Sequence, residues 1–222
     1  SWSASSSNSR PTSPRADEVT AGIEVDFARK QDVPALARVL GRAFFDDPVM
    51  EWMQPHDKRR ARALPRMFAA MVRHHFLAGE GVEVARRVGE MGGAALWDPP
   101  GRWKQTGAEE LRMMPRLLLA LGRRSGRGMA ISELMKRHHP EEPHWYLAVL
   151  GSDPHVRGAG FGKALMESRL RRCDAEGAPC YLESTKESNV PYYMRFGFDV
   201  TAELAIPGGG PTMWQMWRPP AR

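Results

Sequence analysis

The segment 146–162, YLAVLGSDPHVRGAGFG, restricts what this chain can fold into more than any other stretch. An apolar run reads as a strand, a Ser-Asp-Pro turn ends it, and an arginine with alternate glycines leads straight into the amphipathic pattern KALMESRLRRC. The apolar period therefore switches from about 2 to about 3.6 across residues that carry almost no side chain. Such a junction sets the free N–H groups of a helix's first turn at the end of a strand. The helix dipole favours negative charge there, and glycine lets an anion approach the backbone. A phosphorylated cofactor is the expected ligand.

Spacing narrows the choice. Gly158, Gly160 and Gly162 fall as G-x-G-x-G, not as the G-x-G-x-x-G of a dinucleotide fold. Lys163 follows Gly162, but no glycine stands five positions earlier and Ala164 replaces the Ser or Thr of a triphosphate loop. The remaining string, Arg157-Gly158-Ala159-Gly160-Phe161-Gly162, resembles the [QR]-x-x-G-x-[GA] signature of the GNAT superfamily of acetyl-CoA-dependent N-acetyltransferases. The resemblance implies that this loop holds the pyrophosphate of coenzyme A. Beyond it, 179–186 (PCYLESTK) reads as a second buried strand and 189–198 (NVPYYMRFGF) as a short helix ending in Gly-Phe. That order is similar to the cofactor half of a GNAT domain.

A chain of 222 residues has room for a sizeable core, read as one GNAT domain over 22–218. Residues 1–20, rich in Ser, Pro and Arg without periodicity, are expected to be a disordered leader. Two cysteines, Cys173 and Cys180, make no disulfide framework, so small core residues in a cytoplasmic protein are expected. No apolar run has the length of a membrane span, and no membrane partner is expected. A net charge of +6 raises the question of nucleic acid. The arginines are interspersed with acidic residues and alternate with no aromatic ladder, so no nucleic-acid partner is expected; a positive surface that attracts a polyanionic cofactor accounts for the charge.

Along the chain, Ile23, Val25 and Phe27 alternate as a strand, and Asp32 with Pro34 opens a helix carrying Leu36, Val39, Leu40, Ala43 and Phe44. A second helix is predicted from Asp57 to about residue 78, a hairpin over 82–88 and 91–97, and helix again over 106–139, broken around 122–128. A closing hairpin is predicted over 198–202 and 212–217. The expected fold is α/β (α+β): a mixed, mostly antiparallel sheet of about six or seven strands flanked by helices, with one parallel pair formed across the phosphate-loop helix.

Several segments are similar to puromycin N-acetyltransferase-like enzymes of actinobacteria: QDVPALARVLGRAFFDDPV, residues 142–147, YLESTKESNVPYYMRFGF, and the ending with Pro207, Gly210, Pro211, Thr212 and Trp214. The stretch 102–139 departs most, and in such enzymes it helps line the acceptor pocket. Antibiotic resistance is a role this resemblance allows.

Chemistry sets three tasks: take a proton from the acceptor amine, steady a developing oxyanion, and protonate a departing thiolate. The resemblance implies Tyr193 near the cofactor sulfur. Glu183, in the apolar strand YLES, has to be paired or functional; it is either the base, directly or through water, or a structural carboxylate paired with an arginine. For the cofactor, the resemblance implies backbone on Leu147, Ala148 and Val149 for the pantetheine arm. It implies main-chain donors from Val156, Arg157, Gly158 and Ala159, and from Gly160, Phe161, Gly162 and Lys163, for the diphosphate. Asn189 matches the asparagine of the motif, with Ser184 and Lys186 as further contacts. His144 is a reserve base, and Trp145 a ring on which an acceptor could stack. The pairs His74-His75 and His138-His139 lack the i, i+4 spacing of a metal face and are expected at or near the surface; no metal is expected.

The expected function is therefore acetyl transfer from acetyl-CoA to a primary amine of a small molecule by direct attack, in a monomer or homodimer. The alternatives are a protein or peptide amine as acceptor, and a non-catalytic acetyl-CoA sensor.

Overall fold

The computed structural model describes residue 20 and residues 22–221; the leader expected over 1–20 otherwise lies outside the described residues. Seven strands form one sheet in the order β1-β2-β3-β4-β5-β7-β6. They are β1 (Ile23–Phe27), β2 (Val82–Arg87), β3 (Glu90–Asp98), β4 (Trp145–Ser152), β5 (Cys180–Ser184), β6 (Asp199–Ala205) and β7 (Thr212–Arg218). Every pairing is antiparallel except β4 with β5, which are joined by a helix crossing one face. This is the mixed, mostly antiparallel sheet that the sequence predicts.

Helices cover both faces: α1 (Val33–Ala43), α2 (Pro48–Met53), α3 (Asp57–His74), α4 (Gly107–Leu121), α5 (Ser125–His138), α6 (Phe161–Ala175) and α7 (Val190–Met194). On one face Leu36, Leu40, Leu64 and Phe68 of α1 and α3 pack on Val84, Leu96 and Val149. On the other, Leu165, Met166 and Leu170 of α6 pack on Trp97, Leu147 and Leu182. Both cysteines are buried there as free thiols. Two close approaches fix these layers. A Cβ on Gly41 would stand 2.7 Å from Pro65 Cγ, so α1 and α3 meet through a missing side chain. A Cβ on Gly92 would stand 2.4 Å from the Phe161 ring, so the first residue of α6 beds into β3.

Some local expectations change. Asp47 and Pro48 open α2, a short helix hidden from periodicity because it spans less than two turns. Asp32 precedes α1 without capping it; its carboxylate accepts from the Arg29 amide at 2.7 Å and pairs with Arg86 at 2.6 Å. The helix begun at Asp57 stops at His74, and the break between α4 and α5 contracts to residues 122–124. The β2–β3 turn places Val88 and Gly89 at positive φ, 50° and 81°.

Candidate active site

The site begins with a split in the sheet. β4 and β5 pair over three positions only, ending at Leu147 with Leu182. Beyond that, β4 continues beside β3 while β5 continues beside β7. The β3–β4 register also slips here: Leu96 faces Val149 but Trp97 faces Leu147, leaving Ala148 as an extra residue. The bulge turns Ala148 and Val149 toward the same face, with Leu147 and Leu150 on the other. A wedge thus opens between two parallel strands, edged by the backbone of Ala148 and Val149.

At the end of β4 the chain enters the phosphate loop. Asp153 shapes the turn: its amide donates to Gly92 O at 2.8 Å, its carboxylate accepts from the His155 amide at 3.2 Å, and Arg42 Nε donates to it at 2.8 Å. The arginine and the amide hydrogen bond hold its carboxyl below the usual range. Gly158 and Gly160 then take φ of 85° and 92°, and Gly160 precedes the first turn of α6. The amides of Phe161, Gly162 and Lys163 fall in that turn, where helix geometry supplies no carbonyl. A Cβ on Gly162 would lie 3.1 Å from Tyr192 Oη and 3.5 Å from Ser152 Oγ. The Tyr192 hydroxyl is buried and has no hydrogen-bond partner among the described residues. The first turn of α6 and this hydroxyl thus meet at a close approach that leaves little room for a side chain at position 162.

Across the wedge lies a cavity of about 530 Å³. Its floor is the sheet. Tyr181 Oη donates to Glu183 Oε1 at 2.8 Å, and Tyr146 hydrogen-bonds the same carboxylate. Burial pushes Glu183 up to about 7, with both phenols pulling against that rise. Burial and the Glu183 charge together raise both tyrosines well above the usual phenol range. Asp98, opposite Tyr146 on β3, pairs with His75 Nε2 at 3.0 Å. Burial raises Asp98 against the pull of His75, whereas the two acids Asp98 and Glu109 raise His75 against its own burial. The walls are α2, α3, α4 and α5, rich in Met and Phe.

The residues singled out in the sequence separate into groups. Glu183, Ala148 and Val149 line this cavity. Tyr193 lies on α7, packed against Tyr192 and Phe198, and close enough to Asp47 for that carboxylate to add to burial in raising its phenol. Asn189 is exposed at the turn into α7. Three expectations are corrected. Trp145 points to the opposite face, where its indole donates to Glu176 at 3.0 Å and Arg169 sits 4.5 Å over its ring, so it is no acceptor platform. His144 has both nitrogens engaged, Nδ1 with Glu142 O at 2.5 Å and Nε2 with His139 Nε2 at 3.0 Å, so it has no free nitrogen for a base. Ser184 is buried, and its hydroxyl donates to Lys186 O at 2.8 Å, shaping the turn after β5. The histidine pairs also differ from expectation, since His75 and His139 are buried at 4% and 8% exposure.

Sequence reasoning missed Tyr146 and Tyr181 as partners of Glu183, and also Asp47, His75 and Asp98. Asp47 is 3% exposed, accepts from the Val49 amide at 3.0 Å, and is hydrogen-bonded by Thr185, just past β5. Only the Asp47-Pro48 pair carried a local signal, that of a helix start. The charge is also placed differently. Arg59, Arg62, Arg66, Arg123 and Arg124 line a separate hollow of about 550 Å³ between α3 and the end of α4, with no carboxylate in its lining.

Comparison with known proteins agrees with this geometry. The acetyltransferase (GNAT) family matches residues 92–198, from β3 through α7. An uncharacterised N-acetyltransferase of Schizosaccharomyces pombe is 28% identical over 187 residues, covering 76% of this chain and 71% of that protein. A Corynebacterium glutamicum structure described as histone acetyltransferase HPA2 and related acetyltransferase is 29% identical, with TM-score 0.70 over 90% of this chain and 98% of its own. A Staphylococcus aureus N-acetyltransferase shares the fold at TM-score 0.57 and 14% identity, over 87% of this chain and 99% of its own. With the split strands and the glycine loop falling inside the matched region, the chain has the GNAT fold, and its residues 92–198 carry the match to the N-acetyltransferase family.

Proposed function

We propose that the chain transfers the acetyl group of acetyl-CoA to a primary amine on a small molecule, with Glu183 as general base and Tyr193 facing the leaving sulfur. Acetyl-CoA, the superfamily's co-substrate, supplies the acetyl group as an activated thioester. The glycine loop, open around Gly158, is where the chain would take its diphosphate, on the amides of the first turn of α6. The backbone of Ala148 and Val149 along the wedge would orient the arm and offer a donor to the reacting carbonyl.

The observation that carries this reading is Glu183: a carboxylate held by two phenols, facing a cavity at the point where β4 and β5 part, with its pKa at about 7. A base poised near the working pH is ionised often enough to accept a proton and strong enough to take one from an ammonium made more acidic by desolvation. Glu183 Oε removes one proton from the acceptor nitrogen. Tyr193, protonated across the physiological range, presents its O–H to the position the sulfur would occupy and is restored from solvent.

A cavity walled by four helices and the sheet favours a small acceptor over an extended peptide, which needs an open groove. The likeness to puromycin N-acetyltransferase-like enzymes supports the same choice from sequence segments. The Corynebacterium neighbour, whose description includes histone acetyltransferase, keeps a peptide amine as the second reading. The test is thiol release from acetyl-CoA across a panel of small amines and lysine peptides, beside calorimetry with acetyl-CoA. Turnover on small amines that Glu183→Gln abolishes, with cofactor uptake intact, is the expected result. Uptake without turnover on any amine would leave a sensor, and no uptake would end the proposal.

A further inference from the structure

Resting on that reading of the cavity, we infer that the acceptor is a lipophilic primary amine: one protonated nitrogen on a bulky aromatic or alkyl body, with no acidic group. The cavity is two-sided. Its walls carry Met50 and Met53 of α2, Met67 and Met71 of α3, and Met113 and Met114 of α4, and the rings of Phe44, Phe68 and Phe76 fill the spaces between. Its floor carries the carboxylates Asp98 and Glu183 with His75 and the Tyr146 phenol. At the rim Glu110 is paired with Lys136 at 3.0 Å and Glu133 with Arg137 at 2.9 Å, so the floor holds the cavity's unmatched acidity. His139, also in the lining, is held neutral, its pKa lowered to about 3 by burial beside His144 and Lys104.

Each part of an acceptor meets this surface differently. An ammonium finds two carboxylates on the floor. Gln105, Ser125, Ser132 and Thr185 also line the space, but over most of the walls hydroxyls or further ammonium groups would be pressed against thioethers and rings that offer no hydrogen bonds, which removes hydration without replacement. A carboxylate beside the amine, as in an amino acid, would meet Asp98 and Glu183 at close range, where like charges oppose each other. An apolar body gains by burial, and unbranched thioether side chains adjust to more than one shape. At about 530 Å³ the space is within the range of small-ligand pockets. The selection is thus for lipophilicity more than for one outline.

The experiment is a chain-length series. With purified protein, acetyl-CoA and thiol detection, kcat/KM for butylamine, hexylamine and octylamine should climb by about threefold per methylene. 2-Phenylethylamine should exceed phenylalanine, the same body with a carboxylate, by at least about a hundredfold. Spermidine, glucosamine and a lysine peptide should fall below octylamine. A flat or falling series, or a hydrophilic amine that outruns octylamine, overturns the inference while leaving acetyl transfer standing. If no amine turns over, calorimetry on the coenzyme A complex decides: octylamine binding above spermidine upholds the acceptor class and removes the catalytic reading, and no preference removes both. The double variant Leu118→Gln, Met129→Gln alters lining residues already 45% and 60% exposed, so folding should survive. It should raise KM for octylamine about tenfold and leave acetyl-CoA uptake unchanged; an unchanged KM counts against the cavity.

Discussion

The two halves of the candidate site are made of different material. On the cofactor side, β4, the loop and the start of α6 offer mostly backbone: amides freed by a bulge, amides of a first helical turn, and glycines at φ of 85° and 92°. On the acceptor side nearly everything is side chain, brought from α2, α3, α4, α5 and the strands to one cavity. A backbone site recognises what every substrate pair shares, the charged handle of the cofactor. A side-chain site recognises what differs. The first tolerates little change in geometry, and the second tolerates change at the cost of altered selectivity.

Glu183→Gln should give the largest effect and would break the comparison if it did not. Removing a general base costs on the order of 10²–10⁴ in kcat, while acetyl-CoA affinity, held on the other side, should stay within about twofold. In the native enzyme kcat/KM for the acceptor should rise with pH as Glu183 ionises, half-complete near pH 7. The same carboxyl has a folded pKa above its unfolded value of about 4.3. Its contribution to stability is therefore complete below that value and is lost as pH rises through about 7. Glu183→Gln escapes the loss, so its thermal midpoint should overtake the native one as pH goes from 5 to 8, by an amount on the order of 3 kcal/mol in stability at most. A variant both slower and more stable above pH 7 separates a catalytic group from a structural one, which would be slower and less stable.

Gly160→Val attacks the other half. At φ of 92° a β-branched residue is strained wherever it has space, and the first turn of α6 must shift to relieve it. Acetyl-CoA affinity should fall on the order of a hundredfold. Competitive binding of a lipophilic amine in the acceptor cavity should change by less than about threefold. Equal losses on both sides would show that the halves are coupled and that the division drawn above is false.

This division also explains what could be read in the sequence. Gly158, Gly160 and Gly162 stand next to one another because a phosphate loop is local, and Tyr193 stands at a fixed distance before Gly197-Phe198 because its helix is short. A mixed, mostly antiparallel sheet of about six or seven strands with one parallel pair followed from alternation and from the one strand–helix–strand crossover, while the strand order came only from the structure. The acceptor cavity has no such local record. His75 meets Asp98 across a helix and a strand, Thr185 meets Asp47 across most of the chain, and Tyr146 reaches Glu183 only through the β4–β5 register, whereas Tyr181, two residues before Glu183 on the same strand, is a local partner overlooked. The bulge at Ala148 is equally silent, since an extra residue in an apolar run leaves the run apolar. Trp145 and His144 read in the sequence as a stacking ring and a reserve base, but the face such residues occupy depends on strand phase, and that phase put Trp145 on Arg169.

Tyr193→Phe should cost less than either change above, about tenfold in kcat with the acceptor KM unmoved. Its phenol is raised well above the usual range by burial and by Asp47, so it stands protonated throughout the neutral range, hands its proton to the departing thiolate in each turnover, and does not itself shape the pH profile. Consequently the pH profile of Tyr193→Phe should keep the native midpoint near 7, set by Glu183. A displaced midpoint would transfer that titration to Tyr193.

The smallest effect serves as a control on both halves. Val88 sits at φ 50° in the two-residue β2–β3 turn, beside Gly89 at 81°, and is 97% exposed. A β-branched residue is a poor occupant of the left-handed region, where asparagine followed by glycine is the preferred pair for a tight hairpin. Val88→Asn should therefore stabilise the protein by about 0.5–1 kcal/mol, with no buried contact to lose. Because the Val88 side chain is exposed and outside the cavity lining, and the contact of this hairpin with the phosphate loop runs through Arg87 to Ala159 O at 3.2 Å, kcat and both KM values should be unchanged at a higher thermal midpoint. A change in acceptor KM without a change in stability would mean that the β2–β3 hairpin sets the position of the cavity floor, and that the acceptor side reaches further along the sheet than its lining residues indicate.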